Sequence, residues 1–479
     1  MSGLTRRRLL QTAVAAGAAG ALTAASRSRV LGASNDIRLG VIGFRGKGGN
    51  HIKAFRQMDG VRIVGLCDVD TNVIAGAVKS FANAGLKVDT YTDMREMLDR
   101  KDIDAIVTAT PNHWHALVTV WACQAGKDVY VEKPVSHEIW EGRQMVKAAR
   151  KYNRIVQVGT QQRSDAVLPQ VWAWLREGHL GKIVCARGLC YKRRASIGKV
   201  TRPTPIPESI DYSLWCGPAD CRPLWRERLH YDWHWVWNTG NGDIGNQGIH
   251  EMDLARWALG DPDLAPGVLS VGGRFGYDDD AETANTQVAF FDYKPAPLIF
   301  EVRGLPEKAG SKTMPNYKGV RIGNVIECEG GYFCGGYAYD KDGKKVKQFT
   351  RDKGRQHQPN FIKALRSRKS DDNKADILKG HLSSALCHMG NISHRVGEYL
   401  SADEAAKRVA DNPLLAEAVG RMMQHLEANG VDLKAVPLTL GPALAMDPKT
   451  ERFTGEKSAM ANLLVKRNYR EPFVLPDEV

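Results

Sequence analysis

The sequence predicts an α/β protein built from two domains. The first has a doubly wound parallel sheet, and the second is an α+β domain with a large, open, mainly antiparallel sheet. Between residue 37 and about residue 159, short apolar runs alternate with helical patterns, as in a parallel sheet that is covered on both faces. After residue 161 the strand candidates become longer and alternate between apolar and polar residues, which is typical of antiparallel sheet.

Composition and charge exclude several classes of protein. The chain has 479 residues, 43% of them hydrophobic and 25% charged, and its mean hydropathy is −0.36, so disordered, collagen-like and multi-span membrane proteins are excluded. The formal net charge is +13, but five arginines lie in the first 35 residues and the rest of the excess forms no long basic run. We therefore expect a solvated basic surface and no nucleic-acid partner.

Pattern and composition divide the chain into four parts. Residues 1–33 form an export signal and linker, residues 34–160 the first domain, residues 161–400 the second domain, and residues 401–479 a helix followed by a wrapping tail. The start of the chain, TRRRLL at residues 5–10, precedes a mild Ala/Gly-rich apolar stretch and resembles a twin-arginine signal. We expect export to the periplasm by the twin-arginine translocase, with membrane association if the signal is not cleaved.

A glycine-rich loop follows the first strand and precedes a helix, as in a Rossmann domain that binds a dinucleotide. In the loop GFRGKG, Gly43 and Gly48 occupy the first and third glycine positions, while Arg45 replaces the middle glycine next to Phe44. Asp68 ends the second strand about 25 residues after Gly43, where an acid binds the ribose 2′-hydroxyl and disfavours a 2′-phosphate. The pattern predicts NAD rather than NADP. The alternative is a chance glycine cluster in a strand-turn-helix.

Two further motifs follow the fourth and fifth strand candidates. These are TPNHWH at residues 110–115 and EKP at residues 132–134, both at the sheet edge where open α/β sheets bind ligands. Lys133 follows a buried strand and precedes a proline that restricts its backbone. This position indicates a functional group held in place rather than a solvated charge.

These motifs, together with GTQQRS at residues 159–164 and GNGDIGNQGIHEMDLARW at residues 240–257, resemble the Gfo/Idh/MocA family of oxidoreductases. The resemblance extends from about residue 37 to residue 400. It implies a Rossmann domain, a second α/β domain whose open sheet commonly makes subunit contacts, and a nicotinamide cofactor in the cleft between them. We therefore expect NAD as the cofactor and a homodimer or homotetramer formed through the open sheet. The resemblance implies that the cofactor contacts Gly43, Phe44, Arg45, Gly48, Asp68, Thr110, Pro111, Asn112, His115 and Glu132.

The catalytic residues follow from the same resemblance. In the family, the lysine of EKP and an Asp-x-x-x-His pair surround the reacting carbon; here Lys133 and His250 match, but Asn246 stands at the aspartate position. Asparagine can orient a hydroxyl but cannot ionise, so Asp243, three residues earlier, is a candidate replacement. The alternatives are that Asn246 caps a helix and that His250 is a core histidine bonded to backbone. We expect Lys133 to be the acid/base, with its pKa lowered by burial and by the nicotinamide.

Aromatic residues are concentrated between residues 225 and 237, interleaved with polar side chains. Such a mixture suits a sugar ring, although an aromatic core or a subunit contact is the alternative for most of these residues. We take Trp235, Arg163, Tyr191 and Asn246 as candidate substrate contacts. No metal is expected, because His113 with His115 and His230 with His234 lack further ligands, and the nine cysteines contain no C-x-x-C pair.

The leading hypothesis is an exported NAD-dependent oxidoreductase that acts on a secondary hydroxyl of a sugar, glycoside or cyclitol. One alternative is a redox-neutral NAD-dependent glycosidase or epimerase on the same fold, which oxidises its substrate transiently and returns the hydride. A second alternative is a carbohydrate-binding protein without catalysis, which Asn246 and Arg45 favour.

Overall fold

A computed structural model of the chain describes residues 36–352 and 354–479. The twin-arginine signal that we predict at residues 1–33 lies outside the described residues. Among the residues that are described, no helix combines the length and the apolar character needed to cross a bilayer.

The first domain is a six-stranded sheet flanked by helices. Its strands are β1 (Ile37–Ile42), β2 (Val61–Cys67), β3 (Asp89–Tyr91), β4 (Ala105–Thr108), β5 (Asp128–Val131) and β6 (Val156–Val158). Its helices are α1 (Lys47–Phe55), α2 (Thr71–Asn83), α3 (Met94–Leu98), α4 (Asn112–Gln124) and α5 (Ile139–Lys151). All strand pairs are parallel and the order is β3-β2-β1-β4-β5-β6, which confirms the predicted doubly wound Rossmann sheet.

Burial explains why the first domain folds in this way. Every residue of β4 and β5 is buried, because helices cover both faces of the sheet. Leu39 and Val41 of β1 pack on one side with Phe55, while Ile42 packs on the other side with Leu117. The central strand β1 ends between β2 and β4, where the strand order reverses, so the loop after it opens at the ligand-binding edge.

The second domain is dominated by a twelve-stranded sheet. Its helices are α6 (Leu168–Arg176), α7 (Tyr212–Cys216), α8 (Gly242–Asn246), α9 (Gly248–Ala258), α10 (His357–Ser367), α11 (Ile377–Arg395), α12 (Ala402–Val409), α13 (Pro413–Ala428) and α14 (Ser458–Asn462). Its strands are β7 (Ile183–Tyr191), β8 (Gly267–Gly273), β9 (Thr286–Phe291), β10 (Leu298–Arg303), β11 (Ile322–Cys328), β12 (Gly331–Cys334), β13 (Tyr337–Asp340), β14 (Lys345–Gln348), β15 (Glu398–Leu400), β16 (Leu438–Leu440), β17 (Leu444–Asp447) and β18 (Arg452–Thr454).

The strand order confirms a large, mainly antiparallel sheet. The main path is β14-β13-β12-β11-β7-β10-β9-β8-β16-β15, with β17 pairing with β8 and β18. Only β7 and β10 pair in parallel among the described strands of this sheet. Helices α9 and α11 pack on the inner face, and α9 comes close because residue 188 is glycine: a Cβ there would lie 3.1 Å from the Cβ of Glu251.

The outer face of strands β7 to β10 is covered by the chain's own carboxyl-terminal helices. Leu415, Val419 and Met422 of α13 pack against Val288 of β9 and Ile299 of β10. We expected subunit contacts through this open sheet, but α12 and α13 already occupy this part of it. The tail also adds strands β16 to β18 to the sheet, where the sequence indicated irregular structure.

Two later segments return to the first domain. Phe361 and Leu365 of α10, which we assigned to the second domain, pack with Phe55 in the Rossmann core. Phe473 and Leu475 of the tail pack on the opposite side of the same sheet. The predicted boundary at residue 160 therefore describes the order along the chain but not the packing of α10, whose apolar face is buried by the first domain.

Candidate functional site

The glycine-rich loop is a tight turn in which two glycines are sterically required. Gly43 has φ +72°, and a Cβ on it would lie 2.9 Å from the backbone nitrogen of Thr110, the residue before Pro111 and α4. A Cβ on Gly48 would lie 2.2 Å from the carbonyl oxygen of Gly43. Gly46 precedes α1 with open space around it, and no side chain of the described residues caps this helix. The Gly49 amide donates to the Gly46 carbonyl, but the amides of Lys47 and Gly48 have no partner among the described residues and can bind an anion such as a diphosphate.

Asp68 lies at the end of β2 and holds the glycine-rich loop. Its Oδ2 accepts a hydrogen bond from the Phe44 amide (2.9 Å), and its Oδ1 accepts one from the Asp70 amide (3.1 Å). Burial raises the pKa of Asp68, while these amides act in the opposite direction. Each oxygen keeps a lone pair for a ribose hydroxyl. The Phe44 side chain lies in the core, and the exposed Arg45 forms no ion pair within the described chain.

We expected His115 and Asn112 to contact the cofactor, but both side chains bond other parts of the protein. The ring nitrogens of His115 lie 2.6 Å from the carbonyl oxygen of Pro134 and 2.8 Å from that of Thr110. Asn112 donates from Nδ2 to Oδ1 of Asn241 in the second domain (2.9 Å). Both side chains are buried. They hold the loops that follow β4 and β5 in place and join the two domains.

Glu132 is a buried carboxylate next to Lys133. Its Oε1 lies 2.8 Å from Nε2 of His51, and its Oε2 accepts from the backbone amide of Lys133 (3.2 Å). Only a glycine at position 159 leaves room for it, since a Cβ there would lie 2.8 Å from Oε2. Burial acts to raise the pKa of Glu132, but His51 and Lys133 hold it well below its usual range. Glu132 is therefore ionised and supports the loop.

Lys133 crosses from the first domain to the second. Its Nζ donates to the carbonyl oxygen of Asn246 (2.7 Å) and lies 3.4 Å from Oδ1 of the same residue. Burial, together with the charge of Lys47, lowers the pKa of Lys133, although Glu132 acts in the opposite direction. The side chain is only half-buried, so its ammonium group is held in place but still reachable.

His250 lies in the first turns of α9 and has a free ring. Within residues 36–352 and 354–479, no group hydrogen-bonds to its imidazole, so it is not the backbone-bonded core histidine that we considered as the alternative. Burial and the charge of Lys133 lower the pKa of His250 to about 3. The ring is therefore neutral near pH 7, and it can accept or donate one hydrogen bond at each nitrogen.

Asp243 is not free to replace the missing catalytic acid. Its two carboxylate oxygens accept from Nε and Nη2 of Arg194, at 2.8 and 2.6 Å. Arg194 also donates to the Tyr231 hydroxyl (2.8 Å) and lies 5.1 Å from the ring centre of the buried Trp235. Asp243 and Trp235 thus hold Arg194 at the cleft. Sequence reasoning missed Arg194, because nothing in the basic run of residues 192–194 after β7 shows which side chain enters the cleft.

Arg163 and Tyr191 do not reach the site, which corrects two predicted substrate contacts. Arg163 is buried and bonds both Asp253 (2.8 Å) and Asp261 (2.7 Å). The Tyr191 hydroxyl donates to Glu301 (2.8 Å) on the outer face of the sheet, away from α9. Each residue satisfies a buried charge at a distance from the cleft, and neither is available to a ligand.

A segment of the second domain, residues 204–229, crosses to the first domain; we call it the strap. The Thr71 amide donates to the carbonyl of Ser209 (2.9 Å), and the Asp211 amide donates to the carbonyl of Val69 (3.0 Å). Val69 also packs on the apolar side chains of the strap. The strap therefore covers the chain directly after Asp68, at the end of the groove where the adenosine ribose would lie.

No candidate metal centre is present in the described part of the chain. No three His, Cys, Asp or Glu side chains there are grouped closely enough to bind an ion. Two of the paired histidines of the sequence bond to backbone: the His113 Nε2 lies 3.0 Å from the carbonyl oxygen of Trp215, and the His234 Nδ1 lies 2.5 Å from that of Tyr231. The His230 Nε2 lies 3.8 Å from Oδ2 of Asp70.

Four features together define a two-domain, dinucleotide-dependent oxidoreductase. They are the parallel sheet, the open start of α1, the acid after β2, and a lysine of the first domain that bonds the second domain near a histidine. Family models agree with this class. The NAD-binding Rossmann domain of an oxidoreductase family matches residues 37–160, and the carboxyl-terminal α/β domain of the same family matches residues 180–302. The chain belongs to the Gfo/Idh/MocA family of NAD-dependent oxidoreductases.

Curated relatives match parts of the chain. A protein of Shewanella sp. (strain ANA-3), named glycosyl hydrolase family 109 protein 2, is 32% identical over 166 residues, which cover 29% of this chain and 36% of that protein. The uncharacterized oxidoreductase YrbE of Bacillus subtilis (strain 168) is 25% identical over 260 residues, which cover 54% of this chain and 64% of that protein. The chain thus spans about a third of the length of the first relative.

Solved structures share the fold at low identity. The WlbA dehydrogenase of Bordetella pertussis, in complex with NADH and UDP-GlcNAcA, is 21% identical with a TM-score of 0.54, covering 74% of this chain and 96% of that one. An oxidoreductase of Agrobacterium radiobacter, in complex with NAD+, L-tartaric acid and magnesium, is 17% identical with a TM-score of 0.51, covering the same 74% of this chain and 96% of that one.

The contact between Gly48 and Gly43 leads to a prediction about cofactor binding. Gly48→Ala places a methyl group 2.2 Å from a backbone oxygen, so the loop must move away from its position before α1. We expect the Kd for NAD, measured by quenching of tryptophan fluorescence, to rise at least about tenfold. Gly76→Ala is the matched control, because a Cβ there meets no atom within 4 Å. An unchanged Kd for Gly48→Ala would show that the loop does not bind the cofactor.

Proposed function

We propose that the chain oxidises a secondary hydroxyl of a carbohydrate or cyclitol by hydride transfer to NAD, with Lys133 as the acid/base. One observation carries the proposal: Lys133 of the first domain bonds Asn246 of the second, next to the free ring of His250, at the edge where the parallel sheet binds ligands. A structural lysine would not need a neutral, unbonded histidine beside it.

The residues of the chain handle the proton while NAD, when bound, supplies the hydride acceptor. Lys133 Nζ takes the hydroxyl proton, and its lowered pKa makes the neutral amine accessible. The Asn246 carbonyl keeps Nζ in position. Since Oδ1 of Asn246 is turned towards Lys133, its amide nitrogen is left to donate to a substrate hydroxyl. Asn246 therefore orients the substrate, and the neutral His250 ring accepts or donates a second bond.

This assignment predicts the pH dependence of oxidation. The base must be deprotonated, so kcat/KM is expected to fall as the pH drops below the pKa of Lys133, which lies below the usual value of a lysine. With its pKa at about 3, His250 stays neutral and adds no step between about pH 5 and about pH 9. The measurement is the initial rate of NADH formation against pH. A step near the ordinary histidine pKa that disappears in His250→Asn would contradict the assignment.

The proposed function is tested by the content and turnover of the cofactor. We expect mass spectrometry of the small molecules released from denatured protein, or titration with added NAD, to show about one NAD bound per chain. A panel of sugars and cyclitols should then give NADH in amounts that match the oxidised product. A protein that binds sugars but neither contains nor binds NAD would leave the non-catalytic alternative in place.

The redox-neutral alternative has two observations in its favour. The Shewanella relatives carry glycosyl hydrolase names, and the strap covers the end of the cofactor groove, which favours a cofactor that stays bound and is regenerated in each cycle. This alternative is supported if a chromogenic glycoside releases its aglycone without net NADH. Equal amounts of product and NADH would exclude it.

We also propose that residues 1–33 direct export through the twin-arginine translocase. The support is the TRRRLL motif followed by a mild apolar stretch. Replacement of Arg6, Arg7 and Arg8 by lysine is expected to leave the protein in the cytoplasmic fraction of its natural host, while the unaltered chain reaches the periplasm. Equal distribution of the two proteins, measured by fractionation and immunoblotting, would overturn this proposal.

A further inference from the structure

Lys192 lies at the edge of the proposed active site, although no motif singles it out. It directly follows β7, whose residues Gly188 and Cys190 face α9. Since side chains alternate along a strand, Lys192 continues on the same side. Its Nζ lies 3.5 Å from Oε1 of Gln247. Gln247 is the neighbour of Asn246, so the ammonium groups of Lys133 and Lys192 reach two consecutive residues.

Neither ammonium group has an acidic partner. Within the residues that the structure describes, Lys133 and Lys192 form no ion pair, although both are half-buried. Three buried arginines of the chain, by contrast, do have acidic partners. Arg163 is paired with two aspartates, and Arg187 and Arg303 are both paired with Glu301. A half-buried cation without a countercharge is costly, so Lys192, whose partner is the neutral Gln247, requires an explanation.

The ionised Glu132 acts on Lys133, but none of the described acids nearby pairs with Lys192. Asp243 is bound by Arg194 through two hydrogen bonds, and Glu132 is bound by His51. Glu251 is buried, its Oε2 has no partner among the described residues, and burial raises its pKa to about 8. Glu251 is therefore largely protonated at neutral pH, and Lys192 is left without an acidic partner among the described residues.

The diphosphate of the cofactor would pair with two other cations of the chain. Arg45 and Lys47 flank the start of α1, where the NAD diphosphate would bind, and they are exposed on that loop. Lys192 belongs to the second domain, on the side of Asn246 that the substrate would occupy. The diphosphate therefore leaves Lys192 without an anion.

We propose that the substrate is an acidic carbohydrate whose carboxylate pairs with Lys192 while the hydroxyl to be oxidised faces Lys133 and His250. This inference rests on the proposed function and adds the substrate class. A carboxylate would form a charge-assisted hydrogen bond with the Lys192 ammonium and supply the countercharge that the chain itself lacks.

The test compares acids with their neutral counterparts on the NAD-loaded protein. The probes are glucuronate with glucose and galacturonate with galactose, and Kd is measured by calorimetric titration. We expect at least one acid to bind about tenfold or more tightly than its neutral partner, with the difference shrinking as salt is added. Lys192→Gln should remove the difference and Lys192→Arg should keep part of it. Arg193→Gln is the matched control, since it removes an equal charge from the next, exposed position.

Several outcomes would overturn the inference. These are equal binding of acid and neutral sugar, an acid preference that survives in Lys192→Gln, or failure of both acids to bind. The experiment also distinguishes failure of this inference from failure of the proposed function. Binding that prefers the acid and depends on Lys192, but gives no NADH with any sugar, would keep the anion site and reject the oxidoreductase assignment. NADH formed from neutral sugars alone would reject the anion site and keep the oxidoreductase assignment.

Discussion

Lys133→Met is expected to lower kcat for sugar oxidation about 10²- to 10⁴-fold, the range that a positioned acid/base contributes. The variant keeps the length of the side chain but removes the group that bonds Asn246 and takes the hydroxyl proton. The rate is followed as NADH formation, and NAD affinity is measured in parallel. We expect that affinity to stay within about twofold, since the glycine-rich loop and Asp68 are untouched.

Lys147→Met is the matched control, because Lys147 is an exposed lysine of α5 away from the cleft. It should leave both the rate and the NAD affinity unchanged. If Lys133→Met kept most of the activity, another group would have to remove the proton, and the role of Lys133 would be limited to holding α8. A loss of NAD binding together with activity would mean that the substitution disturbs the loop after β5.

Arg163→Met is expected to lower the free energy of unfolding by about 3–5 kcal/mol. Removing the guanidinium leaves the buried carboxylate of Asp253 with only the Ser383 hydroxyl as a partner, while Asp261 keeps its ion pair with Arg256. It also removes the stacking of Arg163 on Trp257, whose ring centre lies 4.7 Å away. Urea denaturation followed by tryptophan fluorescence measures the change as a shift of the midpoint.

Arg202→Met is the control for Arg163, since Arg202 is exposed and such surface changes usually stay within about 0.5 kcal/mol. If the Arg163→Met variant were stable and had a raised KM, the result would support the substrate contact that the sequence predicted for Arg163. The structure leads us to expect the opposite pattern, with lost stability and a KM that stays the same in the fraction that remains folded.

The parts of the site that sequence reasoning located are those fixed by the local backbone. Gly43 and Gly48 are needed because neighbouring backbone atoms leave no space for a Cβ. Both glycines lie within one stretch of six residues, so a short sequence pattern identifies them. Asp68 and Lys133 follow strands whose buried runs can be read directly from the sequence. Such positions depend on few distant contacts, so a motif is enough to place them.

The predictions that failed depend on residues far away in the chain. Arg163 meets Asp253 and Tyr191 meets Glu301 only after the second domain has folded, at separations of 90 and 110 residues. The pairing of Asp243 with Arg194 is of the same kind. No local pattern distinguishes a cation that finds a buried acid from one that faces a ligand.

The second domain shows the same limit at the level of elements. Strands β16 and β17 have three and four residues, too few to show a clear alternation, and they exist because β8 offers them a free edge. Helix α10 has an amphipathic pattern, yet nothing in that pattern says which domain receives its apolar face. Its docking on the first domain follows from the path of the chain around the sheet.

The strap has a consequence for the way the cleft opens. Backbone bonds at Thr71 and Asp211 tie the two domains at one end of the groove, and the bond between Lys133 and Asn246 ties them near its middle. A hinge motion of one domain relative to the other would have to break both sets of hydrogen bonds at once. Local motion is cheaper at Tyr231, just beyond the strap, which is 51% exposed and has φ +66°. Entry and exit of small molecules should therefore be gated by this short loop, with the domains acting as a fixed frame.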